Sequence, residues 1–336
     1  MTANAPFGTV LVNTMSVATW DGEMWQGPKR GPLEPLALHP ASHVLHYGSA
    51  CFEGLKAHRG ADGVVRLFRM DRHVQRLQNS AAVIVLPIPT TALVNEMIID
   101  VVRASLNEVP AAPGSLYLRP TLIGTTENIG AASSPSREAT LFVLASPVGD
   151  YFAGGARPLA LAVETGRPRT TPQFGMVKAG ANYAMALGPT LAAGNEFGVD
   201  QILFAPDGLV QETGASNFLL LDGERVITPA LTESFLHGVT RDSILTIAAD
   251  LGYAVEERPV SVDEVLAWAA RPDGEAALSG TAAIMSGVGE LVYDGRRVTV
   301  GNGQVGEHTT ALRTALTEIH AAKRPDTHGW LTPVLR

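Results

Sequence analysis

The sequence predicts an α+β protein in two domains, and three observations predict it. Strand-like and helix-like stretches are mixed without the strict alternation of a doubly wound parallel sheet. One glycine- and proline-rich stretch, Pro147-Val148-Gly149-Asp150-Tyr151-Phe152-Ala153-Gly154-Gly155-Ala156-Arg157-Pro158, breaks both periodicities near the middle of the chain. A length of 336 residues supplies two cores of ordinary size. The expected division is a small N-terminal domain at 1–148, an interdomain linker at 149–158 and a large C-terminal domain at 159–336.

The elements follow in order. A β-branched run at 64–68 is a strand, and Asp71 is placed to cap a helix through residue 83. Thr90 is placed to cap a second helix, whose Leu93, Met97, Ile98, Val101 and Val102 form an apolar stripe. Residues 116–123 and 140–145 read as buried strands. Beyond the break come a strand at 159–165 and a helix at 182–197 that ends near Gly198. Strands at 201–204 and 210–212 flank Pro206-Asp207-Gly208, and strands at 217–221 and 226–228 flank Asp222-Gly223; both read as hairpins. Helices at 240–251, 261–270 and 307–322 complete the pattern.

Composition narrows the function. A net charge of -8, with no lysine- or arginine-rich block, argues against nucleic-acid binding. No apolar run approaches the roughly 20 residues of a membrane helix, and the first residues do not read as a secretory signal. A single cysteine, Cys51, excludes an internal disulfide framework, fits a reducing cytoplasm and reads as a small buried hydrophobe.

Several groups of residues bear on chemistry. Lys178 stands alone in a weakly charged run, Met176-Val177-Lys178-Ala179-Gly180-Ala181-Asn182-Tyr183. A lysine out of water can lose its proton and attack a carbonyl as a Schiff base, and small neighbours leave room for a flat ring; a partly buried structural lysine fits the same stretch taken alone. Gly238-Val239-Thr240-Arg241-Asp242 opens a periodic helix, either as an anion site at its positive end or as an ordinary cap by Thr240. Ser279-Gly280-Thr281-Ala282-Ala283 is a small-residue turn, either presenting a hydroxyl and amides to an anion or, taken alone, simply a tight turn. Arg76 lies near the buried border of the first helix, although taken alone it reads as an ordinary solvated arginine. Tyr117 and Arg119 alternate with Leu116 and Leu118, so one face of that strand is aliphatic and the other either suits a carboxylate or is a wet sheet face with an incidental pair.

Two patterns point elsewhere and are set aside. Gly301-Asn302-Gly303-Gln304-Val305-Gly306 has dinucleotide-fingerprint spacing, with Asp326 downstream, but too little chain follows to build that fold; it reads as a turn before the last helix. His39, His43 and His46 lack a carboxylate or cysteine at ligand spacing, and Pro40 breaks any shared helix face, so they read as structural and no metal is expected. Neither a Gly-x-Ser-x-Gly elbow nor a Walker loop occurs.

Taken in order, these stretches resemble the branched-chain amino-acid aminotransferases, pyridoxal-phosphate enzymes of fold-type IV. The resemblance runs through His46-Tyr47-Gly48-Ser49-Ala50-Cys51-Phe52-Glu53-Gly54, His73-Val74-Gln75-Arg76-Leu77 and Tyr117-Leu118-Arg119-Pro120. It continues through Lys178 to Tyr183, Gln211-Glu212-Thr213-Gly214-Ala215-Ser216-Asn217, Gly238 to Asp242 and Ser279 to Ala283. It implies a smaller N-terminal α/β domain and a larger C-terminal domain with a mixed sheet or barrel. It also implies pyridoxal 5′-phosphate as cofactor and a ping-pong transfer from leucine, isoleucine or valine to 2-oxoglutarate, in a cytoplasmic homodimer. In that family's terms Lys178 bonds the cofactor and moves the proton. Tyr183 meets the ring oxygen, Glu212 pairs with the ring nitrogen, and Arg76, Val239, Thr240 and Thr281 hold the phosphate. Tyr47, Phe52, Tyr151 and Arg119 surround the substrate side chain, with Tyr117 and the Ala282 amide at the α-carboxylate. Two positions depart from the family: His237 stands where proline is usual, and Val148 where some members carry tryptophan. D-amino-acid aminotransferases share the Gln211–Asn217 motif but generally lack the Tyr-x-Arg-Pro strand. Together with aminodeoxychorismate lyase-type enzymes they are the alternative within this fold; a non-catalytic module is disfavoured because Lys178 and Glu212 are both present.

Overall fold

In a computed structural model that describes residues 7–149 and 157–335, contacts group the chain into two units. The first is Met1–Tyr151 with Val177–Gly180 and Glu318–Arg336; the second is Phe152–Met176 with Ala181–Thr317.

The first unit contains β1 (Met15–Trp20), β2 (Trp25–Gly31), α1 (His43–Tyr47), β3 (Ala50–Phe52), β4 (Leu55–Arg59), β5 (Val65–Phe68), α2 (Met70–Val83), α3 (Thr91–Ala104), β6 (Ser115–Gly124) and β7 (Ala139–Val148). Its sheet runs β5-β4-β6-β7-β1-β2, with β3 also on β6, and every pairing is antiparallel. The expected α/β unit is therefore an antiparallel sheet covered by helices. Period-two alternation does the sorting. Leu55 and Ala57 of β4 and Leu116, Leu118 and Leu122 of β6 are buried against Val74, Leu77 and Ala81 of α2 and the α3 stripe. Tyr117 and Arg119 occupy the other face of β6. Thr90 caps α3 as expected, accepting from Leu93 N at 3.2 Å. Asp71 does not cap α2. Arg69 does, in the left-handed region (φ 49°), its amide bonded to Trp330 O at 2.8 Å and its guanidinium over the Trp330 ring. Asp71 instead sits in the first turn, where its charge suits the helix dipole.

The second unit contains β8 (Leu159–Glu164), α4 (Gly180–Phe197), β9 (Gln201–Phe204), β10 (Asn217–Leu221), β11 (Arg225–Thr228), α5 (Val239–Asp250), β12 (Ala254–Glu257), α6 (Val262–Ala269), β13 (Glu275–Gly280), β14 (Ile284–Tyr293), β15 (Arg296–Thr299) and α7 (Glu307–His320). Its sheet, β12-β11-β10-β13-β14-β8-β9, is mixed: β11/β12, β14/β8 and β8/β9 are parallel. Alternate residues of β8, β9 and β14 feed two cores. Leu161, Leu203 and Leu291 pack with α6, while Ala162, Ile202, Phe204 and Val292 pack with α4. The hairpin at Asp222-Gly223 forms as expected. The strand expected at 210–212 does not: Pro206–Gly208 is a 3₁₀ turn, and the return segment meets β9 through an isolated antiparallel bridge, Leu203 with Thr213, and the backbone bonds Phe204 N to Glu212 O and Gln211 N to Phe204 O. β9 spends its strand pairing on β8 instead.

A last strand, β16 (Leu331–Val334), pairs antiparallel with β5. Residues 318–335 thus belong with the first unit, where the expected 159–336 division had put them in the second. The expected linker lies mostly outside the described residues.

Candidate active site

In the first unit, Glu53 follows β3 and is 1% exposed. Residues three apart on a helix share a face, so α2 brings His73 and Arg76 to it together. Arg76 donates from Nε to Oε1 at 2.6 Å and from Nη2 to Oε2 at 2.9 Å; His73 Nδ1 and the Gly54 amide reach Oε2 at 2.8 and 3.1 Å. Burial alone would raise the Glu53 carboxyl, but the charge and hydrogen bonds of Arg76, aided by His73, hold it well below the usual carboxylate range. Burial keeps His73 below its ordinary value despite Glu53. Burial, with a smaller push from Glu53, raises the Cys51 thiol to about 12, as befits the small buried hydrophobe expected there.

Lys178 is pinned by its main chain. Its amide donates to Ser80 Oγ at 3.1 Å, and its carbonyl accepts from Phe52 N at 3.0 Å. Its Nζ stands 5.0 Å from the centre of the Phe52 ring. Arg119 lies over the same ring at 4.5 Å and donates from Nη2 to the Tyr117 hydroxyl at 2.9 Å. Gly54 lets the Tyr117 phenol approach: a Cβ there would fall 1.9 Å from its oxygen. Tyr47 is at the end of α1, exposed, and donates to Ile129 O at 2.5 Å. Phe52, Arg76, Tyr117, Arg119 and Lys178 thus share the first unit with Tyr47; Tyr151 lies outside the described residues.

The second unit holds Tyr183, Glu212, Val239, Thr240, Thr281 and Ala282. Glu212 is 1% exposed, and its Oε1 accepts from Leu236 N at 2.9 Å. Asn217 Nδ2 reaches Oε2 at 3.3 Å and Leu236 O at 2.8 Å. Gly238, not Thr240, is the N-cap of α5, and no side chain among the described residues caps it. A Cβ on Gly238 would meet Asn217 Oδ1 at 2.0 Å, so the start of α5 and the Glu212 loop are locked together. Thr281 and Ala282 lie in the three-residue turn between β13 and β14, closed by Ile284 at φ 64°. Just before it, Ser279 Oγ is buried without a hydrogen-bond partner among the described residues. Arg169, which no sequence motif singled out, is 2% exposed and 2.8 Å from Glu212 Oε1.

The set-aside patterns have structural explanations. The N-terminus of α7 is filled from within: Glu275 accepts from His308 N, Thr309 N and Thr309 Oγ1 at 2.7–2.9 Å, and Gly306 leaves room for that carboxylate. No phosphate is needed there. His43 bonds Ser49 Oγ and Ser134 O, His46 bonds Pro40 O, and His39 accepts from Ala41 N. No cluster of three potential metal ligands occurs among the described residues. His237, at the proline position, bonds Thr232 O at 2.9 Å, and Val148 is buried at the end of β7.

An antiparallel half-barrel sheet with helices, followed by a mixed sheet that carries a buried acid and a glycine-started helix, is the architecture of a fold-type IV enzyme. Residues 50–288 match the amino-transferase class IV family, and the chain belongs to it. It is 38% identical over 338 residues to branched-chain-amino-acid transaminase 1 of Bacillus subtilis, covering 98% of this chain and 94% of that protein. Among solved structures it resembles the T.th. branched-chain amino acid aminotransferase with pyridoxamine 5′-phosphate, at TM-score 0.79 and 28% identity, over 95% of this chain and 98% of the other. The same enzyme complexed with N-(5′-phosphopyridoxyl)-L-glutamate aligns at TM-score 0.77 and 28% identity, with the same coverage.

Proposed function

We propose that the chain is a pyridoxal 5′-phosphate-dependent branched-chain aminotransferase, passing the amino group of leucine, isoleucine or valine to 2-oxoglutarate. The observation that carries the reading is the Phe52 ring, with the Lys178 amine 5.0 Å from its centre and the Arg119 guanidinium 4.5 Å from it. A reactive amine and a carboxylate receptor thereby flank one apolar wall, which a leucine-like side chain accepts equally well. The named ligands of the similar structures, pyridoxamine 5′-phosphate and a phosphopyridoxyl glutamate, support the cofactor and one of the two substrates.

The side chains fit the coenzyme. Glu212 is a buried carboxylate next to a buried cation, the partner a protonated ring nitrogen requires. The orphaned Ser279 hydroxyl, beside the Thr281 turn, is a donor that a phosphate oxygen would satisfy. The Val239 and Thr240 amides at the start of α5 suit the same anion. Arg76, whose Nε and Nη2 donate to Glu53, is proposed to reach the phosphate as well. When bound, the coenzyme supplies an electron-accepting ring that spreads the negative charge developing on the substrate α-carbon. Lys178 Nζ takes the proton from that carbon and returns it, its backbone pinned so that the amine swings over a short arc. Tyr183 Oη holds the ring oxygen, and Tyr117 with the Ala282 amide orients the α-carboxylate. Arg119 receives the second carboxylate of glutamate and otherwise rests over the Phe52 ring.

No helix among the described residues is long and apolar enough to cross a membrane. We take the protein to work in the cytoplasm as a homodimer. The outward face of α4 supports the second part, because Ala184, Met185, Leu187, Gly188, Leu191 and Ala192 are all exposed there with no charged side chain among them.

Protein purified with coenzyme should absorb in the visible, and borohydride should fix the label on Lys178; Lys178→Ala should abolish both. Arg119→Ala should depress the glutamate half-reaction at least about tenfold more than the leucine one, the cost of leaving one carboxylate unpaired. Activity with D-alanine or aminodeoxychorismate instead of L-leucine would replace this reading with another of the same fold.

A further inference from the structure

Arg169 is the bulkiest of the fully buried side chains among the described residues. It lies in the segment between β8 and α4 and joins three groups. Nη1 is 2.8 Å from Glu212 Oε1, yet makes no aligned hydrogen bond, so charge rather than direction carries that contact. Nε donates to Gly214 O at 3.1 Å, in the loop that carries Glu212. Its guanidinium carbon lies 5.4 Å from the centre of the Tyr183 ring, within cation–π range.

We infer that Arg169 is a positioning residue: it holds Glu212 as an oriented anion, steadies the Tyr183 ring, and through them sets the protonation of the bound coenzyme. The inference rests on the functional reading above, in which Glu212 and Tyr183 meet the coenzyme ring. Its basis is simple electrostatics. A proton shared between Glu212 and a ring nitrogen goes to whichever is more basic. A cation 2.8 Å from Oε1 penalises protonation of the carboxylate far more than protonation of a nitrogen beyond it. The Leu236 amide and the Asn217 amide group add donors that an un-ionised carboxyl would accept less well. Without Arg169, Glu212 would be an uncompensated buried charge and would take up the proton itself.

The test compares Arg169→Met, Arg169→Lys, Glu212→Gln and the double variant Arg169→Met/Glu212→Gln by two readouts. One is the dissociation constant of pyridoxal 5′-phosphate for apoprotein together with the pH dependence of the visible band. The other is thermal unfolding of the apoproteins. Arg169→Met should weaken coenzyme binding about tenfold and move the pH midpoint of the band, whereas Arg169→Lys should keep most of both. The double variant should bind within about twofold of Glu212→Gln alone, because the two residues act as one unit. Losses that multiply to about a hundredfold in the double variant, with an unmoved pH midpoint, would show an independent structural arginine and overturn the inference alone. If Glu212→Gln leaves affinity and spectrum unchanged, the coenzyme role of Glu212 fails and the inference falls with it. Should Arg169→Met not fold, the apoprotein melts decide: a double variant that folds supports the pairing, and one equally unfolded refutes it.

Discussion

Gly54 is the residue on which the Tyr117 and Arg119 face of β6 depends. Its missing Cβ is the space filled by the Tyr117 phenol, which in turn receives Arg119. Gly54→Ala should displace Tyr117 and Arg119 together and cut kcat/KM for leucine and 2-oxoglutarate by about tenfold or more, with the circular dichroism spectrum retained. Adding Tyr117→Phe should restore only part, because the ring carbon Cζ would still lie 2.7 Å from the new methyl. The motifs around Lys178, Glu212 and Arg119 were legible because each combines a reactive side chain with small or aromatic neighbours. Arg169 and the Glu53–His73 pair were not. Arg169 follows Gly166-Arg167-Pro168, a stretch with no pattern that sets one arginine apart from the other. Only the fold reveals that one of its two arginines turns inward to a carboxylate 43 positions downstream. Glu53 stood inside a recognised motif, but nothing in sequence spacing announces a partner on α2.

Elements with strong periodicity were the legible ones. α3, with its Thr90 cap, and α6, where the Ser261 hydroxyl accepts from Glu264 N as an N-cap, form close to where the pattern puts them. β2, β4 and β16 carry weak signals. β2 is a proline- and charge-bearing edge strand, β4 alternates over only five residues, and β16 acquires its identity by pairing with β5 from the far end of the chain. That pairing accompanies the docking of the last turn of α7, where His320 stacks on His58 of β4 at 4.2 Å, edge-on to Phe68. Burial, with the nearby charge of Lys56, lowers His320 to about 3, and burial with His320 and Lys56 holds His58 well below its ordinary value. In the unfolded chain both imidazoles take protons near 6.5. Between pH 6.5 and about 3 the unfolded state therefore binds more protons, and the pair erodes stability as pH falls; above 6.5 it contributes no slope. His320→Phe should leave the pH 7 melting temperature within a few degrees of the parent, on the order of a conservative ring swap. It should also make the loss of melting temperature on acidification toward pH 4 shallower, and an unchanged acid limb would dismiss this pair as its source.

For the whole molecule, the two-unit α+β plan was readable from mixed elements and one breaker-rich stretch. The return of residues 318–335 to the first unit was not, because the sequence carries no mark of which sheet a four-residue strand will join. The outward face of α4 sets the expectation for assembly. Leu191→Arg should shift light scattering from dimer toward monomer at micromolar protein without destabilising the monomeric fraction by more than about 1 kcal/mol, since the site is exposed. A dimer that persists unchanged would move the interface elsewhere. The lone thiol, Cys51, has a practical corollary. It is wholly enclosed and stays un-ionised far above neutral pH, so alkylating reagents can touch it only when the molecule opens. Its rate of capture therefore serves as a built-in clock for rare openings of the N-terminal core, with no engineered probe required.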